Sequence, residues 1–176
     1  MHDDIANILV SEEQIEVRVK ELGVKILERG NENIVMVILL KGALVFAADL
    51  FRAMPVKLEI ECLNVSSYHG GMESSGKVEF LDQCLPDFTG KRVVVVDDIF
   101  DTGLTMQEVC REISSRGAQS VESCVLLEKE GCRTVEMKPD YVGYVIGNEF
   151  VVGYGLDYAG RYRNLPYVGV LRPEAV

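Results

Sequence analysis

Three carboxylates lie close together at Asp97, Asp98 and Asp101, and Thr102-Gly103-Leu104-Thr105 follows directly. Carboxylates at this density accept hydrogen bonds from sugar hydroxyls or share a divalent cation. A Thr-Gly-x-Thr turn that opens a helix offers free N–H groups to a phosphate, helped by the helix dipole. Its glycine lets the backbone come close to the ligand. Acids beside a phosphate nest suit a phosphorylated sugar. Two rival nucleotide motifs, G-x-G-x-x-G and G-x-x-x-x-G-K-[ST], are absent from the sequence. Asp101-Thr102-Gly103 also matches an aspartic-protease triplet, but that dyad needs two such loops, and this chain has one unless it dimerises. The plainest alternative is a solvated acidic turn that caps a helix.

These residues need elements to hold them. Val93-Val94-Val95-Val96 is an apolar run too short for a helix and fits a strand buried on both faces of a parallel sheet. Met106, Val109, Cys110 and Ile113 then recur at helical spacing, which predicts a helix to about Gly117. A second apolar strand, Ile34-Val35-Met36-Val37-Ile38-Leu39-Leu40, ends in Lys41-Gly42 and leads into a helix over 43–54, closed by Pro55. Further strands are expected over 57–65, 78–81, 120–127 and 139–146, with a turn over 86–90. The 120–127 strand runs into Glu128-Lys129-Glu130-Gly131, so Lys129 is a second lysine at a strand end. Ser11 and Gln14 form a capping box for a helix whose stripe is Ile15, Val19, Leu22 and Ile26, ending near Gly30. Residues 1–10 read as a lead-in. The alternation implies an α/β fold, a mostly parallel twisted sheet flanked by helices, with ligands at the carboxyl ends of its strands.

The chain has 176 residues, suited to one domain over 1–176, and a formal net charge of −10, which disfavours a nucleic acid or an anionic membrane as partner. Five cysteines without a C-x-x-C pair argue against a disulfide framework or structural zinc and fit a reducing cytoplasm. The N-terminus shows neither the basic start nor the apolar stretch of a signal peptide. No apolar run reaches the ~20 residues that span a bilayer.

The acidic strand end with Asp101-Thr102-Gly103-Leu104-Thr105 resembles the sugar-phosphate loop of type I phosphoribosyltransferases. Leu40-Lys41-Gly42 is similar to the pyrophosphate loop of the purine enzymes, where that Leu–Lys bond can be cis. Ser66-Ser67-Tyr68 followed by glycines resembles their closing loop, here about 66–78. Phe150-Val151-Val152-Gly153-Tyr154-Gly155-Leu156-Asp157-Tyr158 and Arg161-Tyr162-Arg163-Asn164 look like the hypoxanthine-guanine branch. The resemblance runs from about Ile34 to Leu171. It implies the type I fold with a small hood made from the chain ends, and transfer of 5-phosphoribosyl from phosphoribosyl pyrophosphate to hypoxanthine, and guanine, giving IMP or GMP and pyrophosphate.

The resemblance also implies roles. Asp97 and Asp98 would hold the ribose hydroxyls, with Thr102, Gly103, Leu104 and Thr105 around the 5′-phosphate. Asp101 would be the catalytic group at purine N7. Lys41, Gly42 and Arg163 would face the pyrophosphate. Lys129 would donate to the purine O6, Phe150 would stack on the base, and the Val151 backbone would bond its edge. Ser67 and Tyr68 would lie on the lid, and Mg²⁺ would be held by Asp157, Asp97 and Asp98. A cytoplasmic homodimer or homotetramer is expected. Two departures from the family pattern stand out. Asp97 replaces a common glutamate, a side chain shorter by one methylene, so its contact to the ribose is expected to be longer or water-mediated, and Leu104 occupies a position that is often polar. A regulator on the same fold and a xanthine-guanine enzyme remain alternatives.

Overall fold

The computed structural model describes residues 2–67, 78–80 and 86–175. In chain order the elements are β1 (Ile5–Val10), α1 (Glu12–Glu28), β2 (Ile34–Leu40), α2 (Leu44–Arg52), β3 (Glu59–Ser67) and β4 (Val78–Phe80). Then come β5 (Arg92–Phe100), α3 (Leu104–Ser115), β6 (Ser120–Lys129), β7 (Tyr141–Ile146), β8 (Val151–Val152) and β9 (Val168–Leu171).

Six strands form one sheet in the order β4-β3-β2-β5-β6-β7. All neighbours are parallel except β4, which returns antiparallel beside β3. The side-chain period of two divides the valines of β5 between two cores. Val94 and Val96 face α1 and α2 with Met36 and Ile38 of β2. Val93 and Val95 face the other side, where Met106, Val109 and Ile113 of α3 pack with Phe88 and Phe100. All four valines are fully buried, each contributing about 1.5–3 kcal/mol relative to an exposed position. That is why β5 lies in the middle.

The chain leaves β2 toward β3 on one side, and leaves β5 toward β6 on the other. Strand order therefore reverses between β2 and β5, and the crevice at a reversal point is where open α/β sheets bind ligands. The turns that open there are Lys41-Gly42 and Asp97 to Asp101. The Leu40–Lys41 peptide is cis.

Helix α1 starts as its capping box requires. Ser11 N donates to Gln14 Oε1 at 2.8 Å, and Gln14 N donates to Ser11 Oγ at 3.3 Å. Its stripe of Ile15, Val19, Leu22 and Ile26 is buried. Residues 1–10 depart from the expected lead-in, because Ile5–Val10 is a strand. It pairs antiparallel with β9, which pairs with β8, so a three-stranded sheet draws on both ends of the chain. The short apolar Ile5, Ile8 and Val10 carry no strand signal until a partner far along the chain is known. Among the described residues, no helix is long and apolar enough to cross a membrane.

Candidate active site

The apolar run of β5 ends in half-buried Asp97 and Asp98, then exposed Asp101. The first two are braced by the backbone: Asp98 N donates to Asp97 Oδ1 and Ile99 N to Asp98 Oδ1, each at 3.0 Å. Burial, and after it the neighbouring charge, raises the Asp97 carboxyl well above the usual range. Burial also raises Asp98, against opposing hydrogen bonds and the positive charge of Arg163. A pair held this way has a standing demand for positive charge.

Gly103 ends the acidic turn with φ 85° and is the N-cap of α3, with no side-chain cap bond. A Cβ there would run into Phe100 and Val135. The glycine thus permits a sharp entry into α3 and leaves first-turn N–H groups to an incoming anion. Thr102 Oγ1 lies 3.4 Å from Leu104 N.

Lysine 129 ends β6, next to β5, and its Nζ stands 3.8 Å from Asp101 Oδ2. The lysine side chain is 14% exposed and the aspartate 51%, so a desolvated donor sits beside an accessible carboxylate.

The Lys41-Gly42 turn approaches from β2. A Cβ on Gly42 would overlap the Asp98 carboxylate, so the turn lies directly on the acidic pair. The segment after β8 closes over it. Arg163 Nη1 donates to Gly155 O at 2.6 Å, and its Nη2 pairs with Asp157 Oδ1 at 2.7 Å. Asp157 Oδ2 also accepts from Gly160 N at 2.7 Å. The residue expected at a cation and the residue expected at an anion thus neutralise one another. Phe150 is 47% exposed, leaving a face free for stacking. Its ring meets Tyr158 edge-on, with centroids 5.5 Å apart and planes at 88°. Val151 is buried and opposite Val170 in the small sheet.

The strand ends and hood therefore bring Lys41, Gly42, Asp97, Asp98, Asp101, Lys129, Asp157 and Arg163 to the carboxyl-end edge of the sheet, with Phe150 on the hood segment that also carries Asp157. Ser67 closes β3, whereas Tyr68 falls outside the described residues. The sequence reading missed Tyr158 as the support of Phe150, and Gly155 as the residue packed on Gly42 O. A signal for the second was present in Gly153-Tyr154-Gly155, two glycines bracketing a residue beside the functional segment.

Residues 6–159 match the model of the phosphoribosyl transferase domain family. The bifunctional protein TilS/HprT of Listeria monocytogenes is 45% identical over 99% of this chain, which spans only 27% of that protein. The hypoxanthine-guanine phosphoribosyltransferase of Staphylococcus epidermidis is 43% identical over 99% of this chain and 98% of its own length. The solved structure of Trypanosoma cruzi hypoxanthine phosphoribosyltransferase in complex with the product IMP superposes with a TM-score of 0.92 at 37% identity, covering 100% of this chain and 99% of that one. With that agreement along the whole chain, and the acidic, lysine and hood segments in the expected order, the chain belongs to the phosphoribosyltransferase family, in its hypoxanthine-guanine branch.

Proposed function

We propose that the chain transfers the 5-phosphoribosyl group of phosphoribosyl pyrophosphate to hypoxanthine, and to guanine, releasing IMP or GMP and pyrophosphate in purine salvage. The observation that carries this is the Lys129–Asp101 pair at 3.8 Å. A 6-oxopurine presents O6 and N7 side by side. One acceptor for a lysine and one nitrogen for a carboxylate match that spacing, while the 6-amino group of adenine would set donor against donor. Leaving a buried donor unpaired costs about 1–3 kcal/mol.

In this reading Asp97 and Asp98 hold the ribose hydroxyls, and the turn from Thr102 to Thr105 holds the 5′-phosphate. Lys41, Gly42 and Arg163 receive the pyrophosphate. As the bond to pyrophosphate breaks, positive charge develops on the ribosyl carbon near the acidic pair, and base N9 attacks it. Asp101 takes or stabilises the proton at N7. Phe150 stacks on the base and the Val151 backbone meets its edge.

The donor set fits Mg²⁺. Asp97 and Asp98 are hard oxygen ligands whose carboxyls are raised chiefly by burial, and Asp157 stands at the hood side. Among the described residues no three His, Cys, Asp or Glu converge on one point, so substrate and water oxygens would complete the shell, as is usual for magnesium. When bound, the ion would neutralise charge on pyrophosphate as it leaves. We place the enzyme in the cytoplasm, in accord with the unpaired thiols of Cys62, Cys110, Cys124 and Cys132, as one domain over 1–176 in a homodimer or homotetramer.

The test is product formation from phosphoribosyl pyrophosphate and Mg²⁺ with hypoxanthine, guanine, xanthine and adenine offered separately. Turnover of hypoxanthine with little of adenine is expected. Preference for adenine would overturn the role of Lys129, and no turnover of any base would overturn the reading.

A further inference from the structure

Tyrosine 154 is a non-glycine residue at φ 50°, placed between Gly153 at φ 98° and Gly155 at φ 105°. Left-handed backbone is unfavourable for a side chain as large as this one and persists where surrounding contacts hold it. The holding contacts are visible. The ring is buried, 5% exposed, and its hydroxyl donates to Asp49 Oδ2 at 2.7 Å. Asp49 lies on α2, the helix that follows the Lys41-Gly42 turn.

The same segment carries Arg163. Tyr154 N donates to Leu165 O at 2.8 Å and Gly155 N to Arg163 O at 3.0 Å. The Arg163 guanidinium returns a bond to Gly155 O. Gly155 packs so closely on Gly42 O that a Cβ would overlap it. The segment therefore touches the β2–α2 unit at two points, Gly155 on Gly42 and Tyr154 on Asp49. One contact point leaves a loop free to pivot, whereas two fix its direction. Tyr154, Asp49 and Arg163 also line one cleft of about 610 Å³ between α1, α2 and this segment.

We infer that the Tyr154–Asp49 hydrogen bond is a positioning contact that fixes Arg163 over the Lys41-Gly42 turn and so sets the affinity for the pyrophosphate-bearing substrate. Neither side chain touches the reacting atoms. The inference rests on the reading that Arg163, Lys41 and Gly42 receive pyrophosphate.

The experiment compares Tyr154→Phe, Asp49→Ala and Asp49→Asn with the unaltered chain. It reads KM for phosphoribosyl pyrophosphate, KM for hypoxanthine, kcat and the Kd for IMP, which lacks the pyrophosphate. Loss of one hydrogen bond to a charged acceptor predicts a KM for phosphoribosyl pyrophosphate raised about 5–20-fold in Tyr154→Phe and Asp49→Ala. The Kd for IMP, KM for hypoxanthine and kcat should stay within about twofold, a variant combining Tyr154→Phe with Asp49→Ala should be no worse than either single one, and Asp49→Asn, which keeps an acceptor oxygen, should recover most of the loss. An unchanged KM, or equal weakening of IMP and phosphoribosyl pyrophosphate, would overturn the positioning role alone, since the first means no coupling and the second general damage. An unaltered chain that does not use phosphoribosyl pyrophosphate at all would overturn both the reading and the inference built on it.

Discussion

Asp97 shows how a side chain can serve a site at the expense of the fold. Its carboxyl is buried beside Asp98, so its pKa is raised, first by lost hydration and then by the neighbouring charge. A folded-state pKa above the unfolded one means that the folded protein binds more protons across the interval between them. Stability is thus fullest below the ordinary carboxylate range and declines as pH rises through the raised value. Cation binding runs the other way, because metal and proton compete for the same oxygens. Asp97→Asn should therefore raise the melting temperature of the ligand-free protein near neutral pH. Relief of about 1 kcal/mol corresponds to about 2–4 °C in a chain of this size, readable by calorimetry, while phosphoribosyl transfer falls. A lower melting temperature would show that the carboxylate is better satisfied than its burial implies. Asp101 is the contrasting case, exposed and paired with Lys129. As an acid–base group it should cost about 10²–10⁴ in kcat when changed to alanine, with little change in stability, and steady-state kinetics beside a melting curve would separate the two effects.

At the amino ends of the central strands, away from the site, β5 and β6 are joined by a buried ion pair. Arg92 Nη2 and Nε reach Glu122 Oε2 and Oε1 at 2.7 and 3.2 Å. Arg92 Nη2 also donates to Ile26 O at 2.9 Å and its Nη1 to Gly30 O, fastening the end of α1 to the sheet. Tyr141 donates to Glu122 at 2.6 Å from β7. Burial pushes Glu122 upward, but the bonds from Arg92 and Tyr141 and the charges of Arg92 and Arg29 outweigh it and hold the carboxyl below its usual range. Its stabilisation is present above the unfolded glutamate range and disappears as pH falls through the depressed value. Arg92→Met leaves that carboxylate without its main partner and should destabilise by about 3–5 kcal/mol, measured by urea unfolding. The kcat of the folded fraction should be unchanged, because the pair sits at the opposite ends of the strands from Asp101. Sequence periodicity found α1, β2, β5 and α3 because each buries a continuous stripe or run. It could not find this ion pair, since nothing in Lys91-Arg92 or Val121-Glu122 separates a buried charge from a solvated one. The turn proposed for the phosphate stood out for the opposite reason: it is one contiguous stretch, and its residue types suit that chemistry by themselves.

The molecule as a whole is a large sheet whose strand ends carry the residues proposed for the sugar and phosphates, and its roof is a small sheet that begins beside Phe150, the residue proposed to stack on the base. The roof is assembled from distant parts. Ile5 pairs with Leu171, Val10 with Val168, and Val152 with Gly169. Ile5, Val152 and Leu171 share a satellite core. This part was illegible locally, because its strands are short and become strands only by meeting one another. Ile5, fully buried, should cost about 2–5 kcal/mol on truncation to alanine. Because β8 begins immediately after Phe150, the same change should weaken hypoxanthine binding more than binding of phosphoribosyl pyrophosphate, and comparing the two KM values tests this. The pairing of the first strand with the last also has a consequence for manufacture. A ribosome delivers Ile5 long before Leu171, so the first strand waits for its partner while the whole of the large sheet is made. The large sheet, whose strands end at Ile146, has all its pieces before the small one has its own. On the roles proposed above, each newborn chain would be equipped to grip a sugar phosphate before it could select a base, and the arrival of β9 would complete the choice of substrate.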